Sequence, residues 1–389
     1  MNRAVILSAA RTAVGTARKG TLADTTPDEL GAPVVAEVVR RAKLAPELID
    51  DVVFAESLYG GGDIARYLGL AAGLIGAGGV AVNRHCAGSL TTVGMAAAAI
   101  VSGMDRAVVA GGAQSSSTAP MLRRRIPGTV DEIEENWYPS PAREAGQAQD
   151  MSITVGWNTA VKAELSREAM DAWALRSHER AVAAIDAGRF EGEIVPVMAR
   201  TKDGGFVEFK VDEHPRRDSS LERMASLKPL HPEIEGFSIT AGNSSGVNDA
   251  ASALLLADAE LAAAEGLTPI ARVRAWGQAG VDPVETGMAP IVCIPKLLGR
   301  AGVKQGDIAL WEINEAFASV PLAACKLLGI DDEIVNISGS GCSLGHPVAA
   351  TGGRMLTTLI NDLKRRGGGL GVAAMCAGGG QAGAVLIEV

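Results

Sequence analysis

Aromatic side chains are scarce in this chain: six Phe, five Trp and three Tyr make 4% of its 389 residues. A core without large rings has to be closed by small side chains and close backbones, and 47 glycines among 47% hydrophobic residues supply both. Thiols are few and odd in number. Cys86, Cys293, Cys325, Cys342 and Cys376 are scattered, which argues against a disulfide framework and for a reducing, cytoplasmic setting. No apolar run reads as a membrane span, and the opening MNRAVILSAARTAVG enters a strand at once, without a signal-peptide pattern. Surplus positive charge is missing as well. A net charge of −9 argues against a general binder of nucleic acid or anionic membrane, so an anionic ligand must be met by a local basic patch.

What is present is an alternation of short apolar strands with longer helical segments, the pattern of an α/β fold of two or three domain-sized units. RAVILSA, DVVFAE, VAVN and AVVAGG read as strands in the first third; IALWEIN, EIVNIS, GVAAMCAGG and GAVLIEV do so in the last. LGAPVVAEVVRRAK, SLTTVGMAAAAIVSGM and TGGRMLTTLINDLKRR read as helices. A faint repeat relates the two ends. VVAGGAQ (108–114) resembles MCAGGGQ (375–381), and RAKL…IDDVVFAE from Arg41 resembles RAGV…GDIALWEI from Arg300, in the same order. The expected division is a first half from residues 1–116 and 247–266, a polar insertion over 117–246 with a helix near 166–187, and a second half over 267–389.

Four stretches carry groups suited to acyl chemistry. In VNRHCAGSL, Cys86 stands where a strand stops and a small-residue helix starts; a helix N-terminus favours the thiolate, although a packed cysteine fits the same place. In SLGHPVAATGG, His346 precedes a proline, which keeps it on a fixed, non-helical loop. An imidazole there can accept a thiol proton, or be a satisfied structural histidine. In MCAGGGQ, Cys376 ends a strand and opens a Gly-rich turn able to aim N–H groups at one point, as an oxyanion hole requires. In EINEAFA, Asn314 and Glu315 follow a buried strand; an amide there can hold a water or polarise a carbonyl, or either residue can cap the next helix. Cys342 and His346 also make a Cys-x3-His pair, but further ligands at suitable spacing are lacking and no metal is expected.

Together and in this order, NRHCAGS, NEAFA, LGHP and CAGGG resemble the signature set of the thiolase family, and the resemblance runs from SAARTAVG to the final CAGGGQAGAVLIEV. It implies two duplicated mixed-sheet units in an αβαβα five-layered core with an inserted loop domain, and a reversible Claisen reaction on coenzyme A thioesters. By the same resemblance Cys86 is the residue acylated, His346 activates its thiol, and Cys376 is the second acid/base. One oxyanion hole is expected from His346 with a water held by Asn314, the other from the N–H groups of Cys86 and Gly378. Coenzyme A, a co-substrate rather than a permanently bound cofactor, is expected at Arg216, Ser245, Met151 and Phe317, with the Arg216 guanidinium on the nucleotide. Arg123 to Arg125 suit either a ligand or a subunit contact. The resemblance also implies a homodimer or homotetramer, although the family's tetramerisation-loop pattern is not recognised in residues 117 to 148.

The chain departs from the family pattern in places. The usual Asn-Gly-Gly-Ala before Leu-Gly-His-Pro is Ser338-Gly339-Ser340-Gly341-Cys342-Ser343, and Cys-Gly-Ser-Gly is Cys86-Ala87-Gly88-Ser89. Met-Gly-x-Gly-Pro is Thr286-Gly287-Met288-Ala289-Pro290, and His-Met is Asp150-Met151. The chemical groups survive, but the walls of the acyl pocket do not match the short-chain pattern, which leaves the acyl group open. The expected activity is that of a 3-ketoacyl-CoA thiolase cleaving its substrate with CoA, as in fatty acid degradation. The alternative is an acetoacetyl-CoA thiolase working in the condensing direction. A non-catalytic acyl-CoA or lipid binder would not need two thiols with a histidine, and a decarboxylating ketoacyl synthase would carry His or Asn in place of Cys376.

Overall fold

A computed structural model of the chain describes residues 3–57, 59, 61–135 and 150–389. Nine strands build the main sheets: β1 (Ala4–Arg11), β2 (Asp51–Ala55), β3 (Val80–Val82), β4 (Ala107–Gln114), β5 (Asn248–Asp258), β6 (Ala271–Gly280), β7 (Ile308–Ile313), β8 (Leu370–Ala377) and β9 (Gln381–Glu388). Six helices matter for the site: α1 (Pro27–Ala42), α2 (Gly88–Ser102), α3 (Arg167–Asp186), α4 (Ala289–Ala301), α5 (Ser319–Leu328) and α6 (Thr351–Arg365).

The strand order exposes the duplication. In the first half β2 pairs parallel to β4, β4 antiparallel to β5, and β5 antiparallel to β1. In the second half β7 pairs parallel to β8, β8 antiparallel to β9, and β9 antiparallel to β6. Both sequence repeats fall on equivalent elements: the end of α1 into β2 matches the end of α4 into β7, and β4 matches β8. The two sheets are continuous at one seam, where Val5 and Ile6 of β1 face Arg272 and Ala271 of β6.

Side chains alternate across each strand, so neighbours enter different layers. Val109 and Leu255 face α1, whereas Val108, Ala110, Leu254 and Leu256 face α2 and α6. On the other sheet Ala373 and Met375 join that same middle layer, while Val372 and Ala374 pack outward on α4 and α5. The result is five layers, α–β–α–β–α. Two helices between two sheets leave little room, which is why α2 is rich in Gly and Ala; a Cβ on Gly94 would lie 3.0 Å from Trp276. The segment His85–Ser102 does have the length and apolarity of a membrane span, with a mean hydropathy of 1.3, contrary to the sequence reading. In this fold it is mostly buried between the two sheets.

Two further expectations change. EIVNIS is not a strand: Asp332–Ile334 forms a 3-10 turn, and Asn336 takes a left-handed backbone (φ 52°) that ends extension. Its side-chain amide then pairs with both backbone groups of Ile313, at 2.9 and 2.8 Å, and so replaces a strand partner at the edge of β7. Conversely β5 and β6, the two longest strands, are not among those expected: β5 is buried on both faces and gives no alternating signal, whereas β6 does alternate, with Ala271, Val273, Ala275 and Gly277 on its buried face.

The insertion is tied to the core by buried charge. Arg11, at the end of β1, donates to both oxygens of Asp212 (2.7 and 2.9 Å) and to Glu193 (2.7 Å). Such planar, bidentate pairing fixes direction as well as distance. Helix α3 of the insertion appears as expected. Arg124 pairs with Glu134 and Arg123 with Glu135, which closes a small hairpin within the insertion. Residues 136–149, part of the stretch searched for a tetramerisation loop, lie outside the described residues.

Candidate active site

The site lies where the two inner helices begin. Cys86 sits in a 3-10 turn (His85–Ala87) between β3 and α2, and His346 sits in the loop that runs into α6. The helix starts touch: the Gly353 N–H donates to Ser89 Oγ at 2.9 Å, and a Cβ on Gly352 would come within 2.6 Å of the Leu90 nitrogen. Only a glycine-rich entry allows this approach. His85, before the thiol, holds a left-handed backbone (φ 44°), strain of the kind that clusters at reactive turns.

The helix terminus does not make Cys86 a resting thiolate. Burial pushes its pKa up to about 11, while the backbone N–H groups of Gly378 and of Cys86 itself, directed at the sulfur, pull it down. The first effect wins. Cys86 is half-buried; Cys376, at the end of β8, is fully buried, and its thiol is driven up by burial and then by Cys86 nearby. Two neutral thiols therefore face each other across the turns.

His346 is held neutral. Burial, followed by the Arg354 charge, lowers its pKa to about 3. Its Nδ1 lies 2.7 Å from the Thr351 hydroxyl, which donates its own proton to the Pro347 carbonyl at 2.9 Å. With that proton committed, Thr351 Oγ1 accepts from Nδ1–H, and Nε2 keeps its lone pair. The backbone N–H of His346 donates to Asn248 Oδ1 at 2.9 Å, which anchors the loop. Asn314 extends its Nδ2 to 3.5 Å from both ring nitrogens, too long and too symmetric for an in-line hydrogen bond. Its Oδ1 is buried without a partner among the described residues, so this amide has capacity to spare.

Neither Asn314 nor Glu315 caps α5, which starts at Ser319 with no side-chain cap. Glu315 instead gathers four donors: Trp173 Nε1 (2.9 Å) and the Ser177 hydroxyl (2.6 Å) from α3, Asn336 Nδ2 (2.8 Å), and the Cys342 N–H (3.0 Å). It therefore locks the insertion to the loop before His346. The Cys342 thiol points at the Glu315 carbonyl (3.7 Å), and no group of three or more metal-ligating side chains occurs among the described residues.

A cavity of about 280 Å³ opens beside this loop, lined among others by His178, His214, Arg216, Arg223, Met224 and Cys342. The Arg216 guanidinium makes no hydrogen bond or ion pair among the described residues, while the backbone N–H of Arg216 donates to His178 Nδ1 at 3.1 Å. Burial first, and the Arg216 charge among the further causes, lowers both His178 and His214 to about 4, so they stay neutral beside that cation. Of the four expected CoA-contacting residues, Arg216 alone lines the cavity. The Ser245 N–H donates to the Ala316 carbonyl (2.9 Å), and both Ala316 and Phe317 belong with the cluster holding Cys376, so these two lie on the Cys376 side instead. Met151 is partly exposed and packs near Thr154.

With this geometry in view, comparison with known proteins is decisive. Residues 4–260 match the family description "Thiolase, N-terminal domain", and residues 267–389 match "Thiolase, C-terminal domain". The chain belongs to the thiolase family. It is 38% identical to an acetyl-CoA acetyltransferase of Escherichia coli (strain K12), covering 100% of this chain and 99% of that one. It is equally 38% identical to a 3-ketoacyl-CoA thiolase of Bacillus subtilis (strain 168), with 100% of both covered. The crystal structure of the Bacillus anthracis acetyl-CoA acetyltransferase superposes with a TM-score of 0.92 at 37% identity, over 100% of this chain and 99% of that one. The chain is thus a thiolase-family acyltransferase, with similarity divided between the two activity names.

Sequence reading missed Thr351, Asn248 and the two cavity histidines. A hydroxyl five residues after a His-Pro pair was a usable signal for Thr351. Asn248 and the histidines are brought in by the fold alone.

Proposed function

We propose that the chain is a 3-ketoacyl-CoA thiolase that cleaves its substrate with CoA through an acyl-Cys86 intermediate. The observation that carries this reading is a pair of neutral thiols, the half-buried Cys86 and the buried Cys376, with a neutral imidazole at the start of the neighbouring inner helix.

His346 Nε2 takes the Cys86 proton, and the thiolate attacks the 3-keto carbon. Charge on that oxygen is met by the N–H groups of Cys86 and Gly378, both already directed at the nucleophile. The C2–C3 bond then breaks, leaving an acyl thioester on Cys86 and the enolate of acetyl-CoA. The protonated His346 and Asn314 face the enolate oxygen, while Cys376 delivers its proton to the carbon. In the second half-reaction the Cys376 thiolate takes the proton of an incoming CoA thiol, which attacks the acyl group. Cys86 leaves as thiolate and recovers its proton from His346. Acid and base are regenerated, and the sum is one 3-ketoacyl-CoA and one CoA converted to acetyl-CoA and a shortened acyl-CoA.

Coenzyme A fits the cavity by charge. The Arg216 guanidinium, unpaired at the rim, suits its phosphates, and the one carboxylate in the lining, Asp218, is paired with Arg223. The same reading divides the chain into 1–116 with 247–266, 117–246 and 267–389, and places a homodimer or homotetramer in the cytoplasm, in keeping with free cysteines throughout. The relatives named acetyl-CoA acetyltransferase favour a second reading, condensation of two acetyl-CoA on the same residues.

A screen of 3-ketoacyl-CoAs of graded size with free CoA, coupled to peptide mass mapping, tests the proposal. Release of acetyl-CoA with the acyl group on Cys86 is expected. Turnover of acetoacetyl-CoA alone would favour the second reading, and acylation of Cys376 or Cys342 with Cys86 untouched would overturn the assignment.

A further inference from the structure

We propose that Thr286 is a positioning residue that holds the Gly378 N–H on the Cys86 sulfur by fixing the turn Gly378–Gly380. The inference rests on the roles given above to Cys86 and Gly378. It concerns a position where this chain departs from its family, since the family pattern carries Met there.

The turn between β8 and β9 is made of three glycines, and Gly379 and Gly380 adopt φ of 77° and 75°. Such a turn has little stiffness of its own. Its polar groups show what holds it. The Gly380 carbonyl accepts from the Val281 N–H at 2.7 Å, the Gly378 carbonyl from Gln381 Nε2 at 3.0 Å, and the Gly380 N–H donates to Thr286 Oγ1 at 3.0 Å. Apart from the Cys86 sulfur that faces the Gly378 N–H, Thr286 is the one side chain that accepts from a donor of this turn among the described residues. Two features make it a rigid anchor. Its own proton is spent on the Pro283 carbonyl at 2.7 Å, so toward Gly380 the hydroxyl can only accept. The backbone behind it cannot retreat either, because a Cβ on Gly287 would fall 2.0 Å from Thr159 Oγ1 and 2.4 Å from the Val155 carbonyl. Thr286 itself is fully buried. A thioether in its place would accept weakly and leave the Gly380 N–H without a good partner.

A buried donor left unmade lets the turn relax, and misplacing an oxyanion-hole donor by about 1 Å can cost on the order of 100-fold in rate. Thr286→Val keeps the shape and removes the hydroxyl; Thr286→Ser keeps the hydroxyl. The expected result is a fall in kcat of about 10- to 100-fold for Thr286→Val, with the KM for CoA within about twofold, and a Ser variant within about threefold of wild type. A readout independent of turnover is the pH dependence of Cys86 alkylation by iodoacetamide. Loss of an N–H directed at the thiolate should raise its midpoint by about 0.5–1 pH unit in the Val variant and leave it in place in the Ser variant. Should Thr286→Val not fold, Thr286→Ala removes the same hydroxyl with less bulk and takes the same two measurements. A variant lacking the hydroxyl with unchanged kcat and alkylation midpoint overturns the proposal, as does a Ser variant that falls as far as Val. If wild type transfers no acyl group, the functional reading fails, while the alkylation comparison still decides the role of Thr286.

Discussion

The strands β4 and β8 are equivalent in the duplicated halves, with glycines within β4 and directly after β8, yet only β8 carries a thiol. At the place of Cys376, β4 has Val109, which packs in the outer layer against α1. Beyond it, a Cβ on Gly111 would fall 2.2 Å from the Ser252 carbonyl and one on Gly112 2.0 Å from the Ala349 carbonyl. Those glycines exist to let the strand lie close to its neighbour and to the His346 loop. In β8 the chain turns back at once: Gly379 and Gly380 need left-handed backbone, whereas Gly378 has open surroundings, its nearest Cβ neighbour being the His85 ring at 3.5 Å. One motif is used for packing and the other for aiming an N–H. The two halves supply two inner helices whose starts meet, with the Cys86 thiol before one start, the His346 imidazole in the loop before the other, and a second thiol, Cys376, on β8 alone.

That comparison is most sharply broken at Cys376. Cys376→Ala should lower thiolysis and condensation on the order of 10²–10⁴-fold while Cys86 still takes up an acyl group, as read by mass mapping. Turnover within a factor of a few of wild type would make β8 as structural as β4.

The glycines differ in kind of effect. Gly112→Ala forces a methyl against the Ala349 carbonyl and should cost about 1–3 kcal/mol in denaturant unfolding, since overpacked cores cannot yield freely. Gly378→Ala should stay within about 0.5 kcal/mol of wild type, its backbone being compatible with alanine. Equal losses for the two would erase the distinction between packing and aiming.

A smaller effect separates the insertion from both halves. Arg216→Glu should raise the KM for CoA about 10-fold, lessen its dependence on salt, and leave acyl transfer from a small pantetheine thioester nearly intact. Equal losses with both substrates would show that Arg216 supports the fold instead.

Read alone, the sequence determined the α/β class and the thiolase resemblance, and it nominated Cys86, His346 and Cys376 as candidate reactive groups, because these are written in short, contiguous patterns. A thiol between strand and helix, a His before Pro, and a Cys before three glycines each constrain the local backbone. It did not disclose β5, whose doubly buried run carries no alternation, nor that EIVNIS is held by the side chain of Asn336, although the alternation of ARVRAWGQ made β6 legible. Only the tertiary structure decided the protonation of the site. A helix N-terminus predicts a thiolate, but burial outweighs it and leaves Cys86 near 11 and His346 near 3, both neutral. The tertiary structure also supplied Thr351 and Asn248 to orient His346, Glu315 to lock the loop before it, and Thr286 to hold the turn opposite. Local pattern can nominate a reactive group; its desolvation and its hydrogen-bond partners come from residues distant in the chain, and those contacts exist only once the layers are packed.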